Sequence, residues 1–382
     1  MKILFFSEQY FPNISGGAEI FVQLLAEELV NHGHTVYVCS IADTAYRNTK
    51  NGVNLIYLKH HNIYWEYQHR GNALEKAIWH TIDMYNLSFR RDISQIISEV
   101  SPDIVHTNNI CGFSSVVWAI VKEHHIPLVH TIHDHYLLCY RTTMFHQNKV
   151  CEKRCLLCRF GSVFAKYESQ KVDAVVGVSR YILEEHLKNG YFKNSKIQIA
   201  IANGFKVSRR PQIERAKNVI GFMGSITPVK GIERLISDFY RLEQDGWKLK
   251  IAGKGSDDYI FSIKEKYVNE NIEFVGRVNP DEFMSLISLL VVPSLWNEPF
   301  GRVVVEAMYN NCPVIVSNRG ALPEIVKDKQ YCFDPDDPDS LYRLLNSFIN
   351  GRIVWEPIDF DRHYLISSVV KEYVKVYRYL LN

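Results

Sequence analysis

Two consecutive α/β domains, each on a doubly wound parallel sheet, are the architecture this sequence predicts. Three observations carry the prediction. Short apolar runs bounded by turn residues recur along the chain with helical patterns between them, as expected of strands buried on both faces by crossover helices. The series breaks once, at Ala202-Asn203-Gly204-Phe205 and the polar stretch from Ser208 to Asn218, and then starts again. With 382 residues, 47% of them hydrophobic and 13% aromatic, the chain has material for two packed cores.

The first domain, residues 1–205, opens on the buried-strand run Ile3-Leu4-Phe5-Phe6, a glycine turn and an amphipathic stretch from Ile20 to Val30. Strand runs follow at Val36 to Cys39, Val53 to Ile56, Ile104 to His106, Leu128 to His130 and Ala174 to Val178. The second domain, residues 206–357, repeats the pattern at Val219 to Phe222, Leu249 to Ala252, Ile272 to Val275, Leu289 to Val292 and Val314 to Val316. In the last segment Leu365, Val369, Val370, Val374 and Leu380 fall at near-helical spacing, so residues 358–382 are expected to form a helix that crosses back onto the first domain. Two domains of this kind are expected to bind ligands at the carboxyl ends of their sheets.

The stretch Glu298-Pro299-Phe300-Gly301-Arg302-Val303-Val304-Val305-Glu306 carries the most chemistry. Pro299 suits a first helical position, and Gly301 frees the backbone where a ligand approaches. The first amides of such a helix face an anion. A carboxylate in the loop and another two turns inside, with ~12 Å of rise at that spacing, can serve one ligand. One fits a sugar and the other a ribose diol, whose two hydroxyls a single carboxylate accepts together.

A net charge of +2 gives no whole-chain reason to bind nucleic acid. No apolar run reaches the ~18 residues of a membrane-spanning helix, and the start Met1-Lys2-Ile3-Leu4-Phe5-Phe6 turns polar too soon for a signal peptide. The expected location is the cytoplasm, with peripheral contact at the inner face of the membrane. Eight cysteines in such a setting are expected to stay reduced. Cys139, Cys151, Cys155 and Cys158 bunch closely; four reduced, partly buried thiols are the expected state, and the Cys155-Leu156-Leu157-Cys158 spacing leaves a structural zinc as the alternative.

These motifs together resemble the retaining glycosyltransferases of family 4, which have the GT-B fold of two facing Rossmann-like domains. The resemblance runs nearly end to end: Ser15-Gly16-Gly17-Ala18-Glu19, Leu29 to Val36, His130-Thr131-Ile132-His133-Asp134, Gly224-Ser225-Ile226-Thr227-Pro228-Val229-Lys230-Gly231, Pro293 to Met308, and Cys312 to Val316. It implies that Glu306 binds ribose hydroxyls, Glu298 faces the transferred sugar and His133 lies near the sugar or acceptor. Lys230, the amides near Phe300 and Gly301, and the Gly16-Gly17 turn would take the diphosphate, with no cofactor required. Ser225 stands where many members carry an arginine, leaving more of that charge to Lys230 or to Arg302. The base would sit beside Gly276-Arg277-Val278-Asn279. Gly253-Lys254-Gly255-Ser256 lacks the rest of a P-loop and reads as structural.

The implied partners are a UDP- or GDP-linked sugar donor and a glycan or lipid-linked acceptor, in bacterial surface polysaccharide or lipopolysaccharide synthesis. The stretch from His60 to Arg91, with Tyr64, Trp65, Tyr67, Trp79, Tyr85 and Phe89 among Arg70, Lys76, Arg90 and Arg91, suits an anionic lipid surface, although the same rings also suit a packed helical layer. An epimerase, which needs no acceptor, and a non-catalytic nucleotide-sugar-binding subunit are the competing classes.

Overall fold

The computed structural model describes residues 1–14, 16–65, 67, 71–206, 216–242, 246–267, 270–356 and 362–382. Ser15, Arg70, most of the polar stretch from Ser208, and the first residues of the 358–382 segment lie outside them. The chain forms two compact units, one of Met1–Met144, Glu152–Lys206 and Arg362–Asn382, the other of Phe145–Cys151 and Val207–Asp361.

In the first unit the strands are β1 (Lys2–Phe6), β2 (Thr35–Ala42), β3 (Tyr46–Lys50), β4 (Val53–Lys59), β5 (Ile104–Thr107) and β6 (Leu128–Ile132). A short hairpin, β7 (Phe145–His146) and β8 (Lys149–Val150), belongs to the second unit and is followed by β9 (Ala174–Gly177) and β10 (Ile197–Ala200) of the first. The order β10-β9-β6-β5-β1-β2-β4-β3 places β1 at the switch point, with all pairs parallel except β3 on β4. Ile3, Leu4, Phe5 and Phe6 are wholly buried, as a strand covered on both faces requires. The helix Gly17–Asn31 covers it with Phe21, Val22, Leu25 and Leu29, and Gly33 at φ +80° lets the chain turn back into β2.

The C-terminal helix Ile366–Leu381 is part of this same unit. Its start is tied by two backbone bonds, Phe205 N–H to Tyr364 O and Ile366 N–H to Phe205 O, each 3.0 Å. Its Tyr377 hydroxyl meets His106 Nδ1 at 2.7 Å and its Tyr373 hydroxyl meets Thr131 Oγ1 at 3.1 Å, beneath the ends of β5 and β6.

The second unit has β11 (Val219–Met223), β12 (Lys248–Ala252), β13 (Ile272–Gly276), β14 (Leu289–Val292), β15 (Val314–Ser317) and β16 (Cys332–Phe333), in the order β13-β12-β11-β14-β15-β16 and parallel throughout. Ile220, Leu249, Ile251, Leu289, Val291 and Ile315 form the sheet side of its core, against Leu235 and Ile236 of the helix Ile232–Arg241. The strand order reverses between β11 and β14, so the turns after these two strands border the ligand crevice of this sheet.

Of the aromatics in the stretch 60–91, for which a lipid surface and a packed helical layer were both open, three turn inward and Tyr67 stays exposed. Trp65, Trp79 and Phe89 are buried, and the Trp79 indole N–H donates to Tyr64 O at 3.1 Å. A capping box at Asn72 and Glu75 starts the helix Ala73–Asp83 and turns Trp79 to the interior. Among the described residues no helix is long and apolar enough to cross a membrane.

Candidate active site

On the second unit the candidate residues gather at the carboxyl ends of β11, β13 and β14. After β11 a 3-10 turn, Pro228–Lys230, ends at Gly231 in the left-handed region, φ +71°. A Cβ there would come within 1.9 Å of Pro293 O, so only glycine lets this turn lie against the chain leaving β14. That contact brings Lys230 to Glu298. The ammonium meets Glu298 Oε1 at 2.6 Å and lies 5.2 Å from the centre of the Trp296 ring. The Ser294 hydroxyl donates to the same carboxylate oxygen. Glu298 is itself buried, and its backbone is pinned by Ala321 N–H, which donates to Glu298 O at 2.8 Å. Lys230 and Glu298 therefore form one charged pair, with the lysine side chain partly open to solvent.

The helix that follows runs Arg302–Tyr309 with Gly301 as its cap, so Pro299 lies in the loop and not at a first helical position. Gly301 also serves packing. A Cβ there would stand 2.7 Å from Leu322 and 3.1 Å from Ile325, so its bareness serves packing against the helix Leu322–Val326. Glu306 lies on the second turn, buried, with Arg302 Nε donating to its Oε1 at 2.8 Å. Burial raises the Glu306 carboxyl above its usual value, and Arg302 works against that shift. The Arg302 guanidinium is thus engaged by Glu306 through its Nε. Ser225 is exposed in the turn after β11, and Phe300 and Val278 are half-buried at the ends of β14 and β13. The Gly253–Gly255 turn is structural as read: a Cβ on Gly253 would fall 1.8 Å from Gly224 O, and one on Gly255 2.2 Å from Ile226 O.

The first unit carries a cavity of about 620 Å³ at the ends of β1, β5 and β6, walled by Glu8, Glu19, Asn108, His133, Asp134 and Tyr136 among others. His133 Nε2 meets Asn108 Oδ1 at 3.0 Å. Burial pushes the His133 pKa down to about 3, so the ring is neutral and Nε2 carries its proton toward Asn108. Nδ1 is then an acceptor. That atom and Asn108 Nδ2, a donor, are both buried without a partner among the described residues, and together they match the two needs of a hydroxyl. Asp134 is raised to about 6, chiefly by burial. Asn108 was not singled out from the sequence; its place directly after β5 was the available signal.

The Gly16-Gly17 turn does start the helix Gly17–Asn31, but the Gly16 N–H donates to Glu19 Oε2 at 2.7 Å, and Asn109 Nδ2 holds Oε1 at 3.2 Å. The Gly16 N–H is therefore taken by a carboxylate of the chain.

Of the four clustered cysteines, Cys158 lies within side-chain hydrogen-bonding reach of both Cys139 and Cys155. Among the described residues no group of three or more His, Cys, Asp or Glu side chains is placed to hold a metal ion. Cys155 is exposed and caps the helix Leu156–Gly161, its Sγ accepting the Cys158 N–H at 3.4 Å. Burial pushes the Cys158 thiol up to about 12, while the Cys158 N–H holds the Cys155 thiol below its usual value.

Two α/β units, with paired charges on one and a hydroxyl-matching cavity on the other, are the parts of a group-transfer enzyme acting on sugars. Residues 15–209 match Glycosyltransferase Family 4 and residues 205–359 match Glycosyl transferases group 1, and the chain belongs to this family of transferases. It is 32% identical over 390 residues to a 42.6 kDa protein in the cps region of Klebsiella pneumoniae, covering 99% of this chain and 100% of that one. A glycosyltransferase of Methanocaldococcus jannaschii is 28% identical over 409 residues, covering 99% of this chain and 98% of its own. Among solved structures, Anabaena HepE in complex with UDP and glucose matches with a TM-score of 0.65 at 18% identity, over 100% of this chain and 97% of that one. The lipopolysaccharide outer core galactosyltransferase WaaB matches at 0.64 and 18% identity, over 98% of each chain. At such identities the likeness is one of fold, the GT-B arrangement of two Rossmann-like domains.

Proposed function

We propose that the protein is a retaining glycosyltransferase that moves a sugar from a UDP- or GDP-linked donor to a hydroxyl of a glycan or lipid-linked acceptor in bacterial surface polysaccharide synthesis. The observation that carries this reading is the Lys230–Glu298 pair at 2.6 Å, set at the switch point of the second sheet one loop before the buried Glu306. Lys230 and the first amides of the helix Arg302–Tyr309 stabilise charge that grows on the diphosphate as the glycosidic bond breaks, so they act more on the transition state than on the ground state. Glu306 accepts the ribose hydroxyls; Glu298, anchored by Lys230 and Ser294, orients the transferred sugar. The acceptor hydroxyl attacks from the face the phosphate leaves, and the departing phosphate takes its proton. No metal ion enters these steps. The His133–Asn108 pair orients a sugar hydroxyl, with His133 Nδ1 accepting and Asn108 Nδ2 donating. The cps-region relative and an O-antigen chain mannosyltransferase of Escherichia coli, 32% identical over 130 residues, support the polysaccharide context.

Calorimetric titration with UDP, GDP and ADP tests the donor site. Selective binding of one diphosphate, weakened by both Glu306→Ala and Lys230→Ala, is expected. Binding that neither substitution alters, or no binding of any nucleotide, overturns the reading.

A further inference from the structure

The segment from Cys151 to Lys171 bears an apolar surface that the first unit leaves uncovered. Leu156, Leu157, Phe160, Val163, Phe164 and Tyr167, on the helices Leu156–Gly161 and Val163–Glu168, are 44% to 80% exposed. Side chains of this size at this density ordinarily mark a binding surface. Exposed Lys153, Arg159 and Lys166 are interleaved with them, while Glu168 is buried and paired with Lys171 at 2.7 Å. Glu152 is the exposed acid of the segment. An apolar face with cations among the rings is complementary to an anionic bilayer, where the rings enter the interface and the lysine and arginine heads reach phosphate.

The surface continues into a cavity. Leu157 and Phe160 also wall a space of about 480 Å³, roofed by Ala73, Ala77 and His80 of the helix Ala73–Asp83 and lined mostly by carbon. Tyr136 and Leu137 wall both this space and the cavity that holds His133. The carbon-lined space and the polar cavity at His133 are thus neighbours across these two side chains.

We propose that this face rests on anionic membrane and that the 480 Å³ cavity receives the hydrocarbon chain of the lipid carrying the acceptor, with its sugar hydroxyls toward His133 and Asn108. This rests on the reading of the acceptor as lipid-linked. A chain that leaves the bilayer for this cavity exchanges one apolar medium for another, so the cavity orients the lipid and the surface supplies attachment.

Two variants separate the parts. The full-length protein is floated with phosphatidylcholine vesicles, with and without phosphatidylglycerol, and photolabelled in them with a long-chain alkyl phosphate bearing a diazirine on its chain. Wild type is expected to bind the anionic vesicles at least tenfold more than the neutral ones and to be labelled on the helices Ala73–Asp83 and Leu156–Gly161. Leu156→Ser with Leu157→Ser and Phe160→Ser, all at exposed positions, is expected to lose vesicle binding at least tenfold with an unchanged melting temperature. Ala77→Trp is expected to keep vesicle binding and lose the label. Equal vesicle binding by the triple variant, or labelling that Ala77→Trp leaves in place, overturns the proposal. UDP and GDP titration of the same samples keeps the two readings apart: nucleotide binding without vesicle binding sinks the membrane proposal alone, and vesicle binding without nucleotide binding sinks the transferase reading alone.

Discussion

Lys230 and Glu298 are unequal partners, and the inequality is testable. Glu298 is only 6% exposed, whereas the Lys230 side chain is 26% exposed. Lys230→Ala therefore strands a buried carboxylate with the Ser294 hydroxyl as its remaining partner of the two, a change that costs several kcal/mol in buried pairs, about 3 here after allowing for the solvent at the lysine. Glu298→Gln removes the charge, keeps an acceptor for Ser294 and leaves an ammonium that water can reach. Both variants are expected to lose about 100-fold or more in kcat/KM, as when one preorganised group is taken from a transition state. Only Lys230→Ala is expected to melt clearly earlier, and adding Glu298→Gln to it is expected to restore most of that loss. Melting curves beside initial rates decide the matter; a larger thermal loss in Glu298→Gln would show that the pair is not held as described. The two glutamates were legible because they sit in one short motif. Their partners were less so: Lys230 is 68 residues from Glu298, and the capture of Arg302 by Glu306 depends on burial that spacing does not report.

At the scale of elements, backbone contact between turns is what shapes the donor side. Gly253, at φ +143°, carries its missing Cβ 1.8 Å from Gly224 O, so the turn after β12 bears directly on the turn that leads to Lys230. Alanine there meets both a strained backbone and a backbone clash, and the two together are expected to cost about 3 kcal/mol or more. Gly253→Ala is expected to lower the melting temperature and weaken nucleotide diphosphate binding together, although residue 253 need touch no ligand. Gly246→Ala, where no atom of the described residues lies within 4 Å of the added carbon, is the control for left-handed strain alone. Equal losses in the two would remove the clash from the account. The buried parallel strands were legible because covering on both faces leaves continuous apolar runs. Strands β3, β10 and β16 were not: β3 is a mostly exposed, antiparallel edge of polar residues, β10 alternates half-buried with exposed at the opposite edge, and β16 is two residues long. Which rings of 60–91 are buried was not legible for a related reason. Composition cannot say which way a ring points: Trp65, Trp79 and Phe89 turn inward, while Tyr67 and the rings of 156–167 do not.

Over the whole molecule the titrating groups are unevenly divided between the units. His106, His130, His133, His135 and His186 are all buried in the first unit, and burial lowers every one of them, His133 and His135 to about 3 and His186 to about 4. A histidine lowered on folding contributes its stability fully above the unfolded value, near 6.5, and loses it as pH falls below that value toward the folded one. In that window the unfolded chain takes up protons the native unit refuses. Each such group removes about 1.4 kcal/mol per pH unit, against a total stability on the order of 5–15 kcal/mol. Asp134, raised to about 6, works in the opposite direction in the same unit, as Glu306 does in the second, since protonation relieves the cost of burying them. One raised carboxyl does not offset five lowered histidines. Amide hydrogen exchange between pH 7 and pH 5 is therefore expected to show protection collapsing in β1, β5, β6 and β9 while β11, β12, β14 and β15 hold theirs. Joint loss in both sheets would mean that the units unfold as one, and earlier loss in the second would mean that the histidines are not the groups that set acid stability.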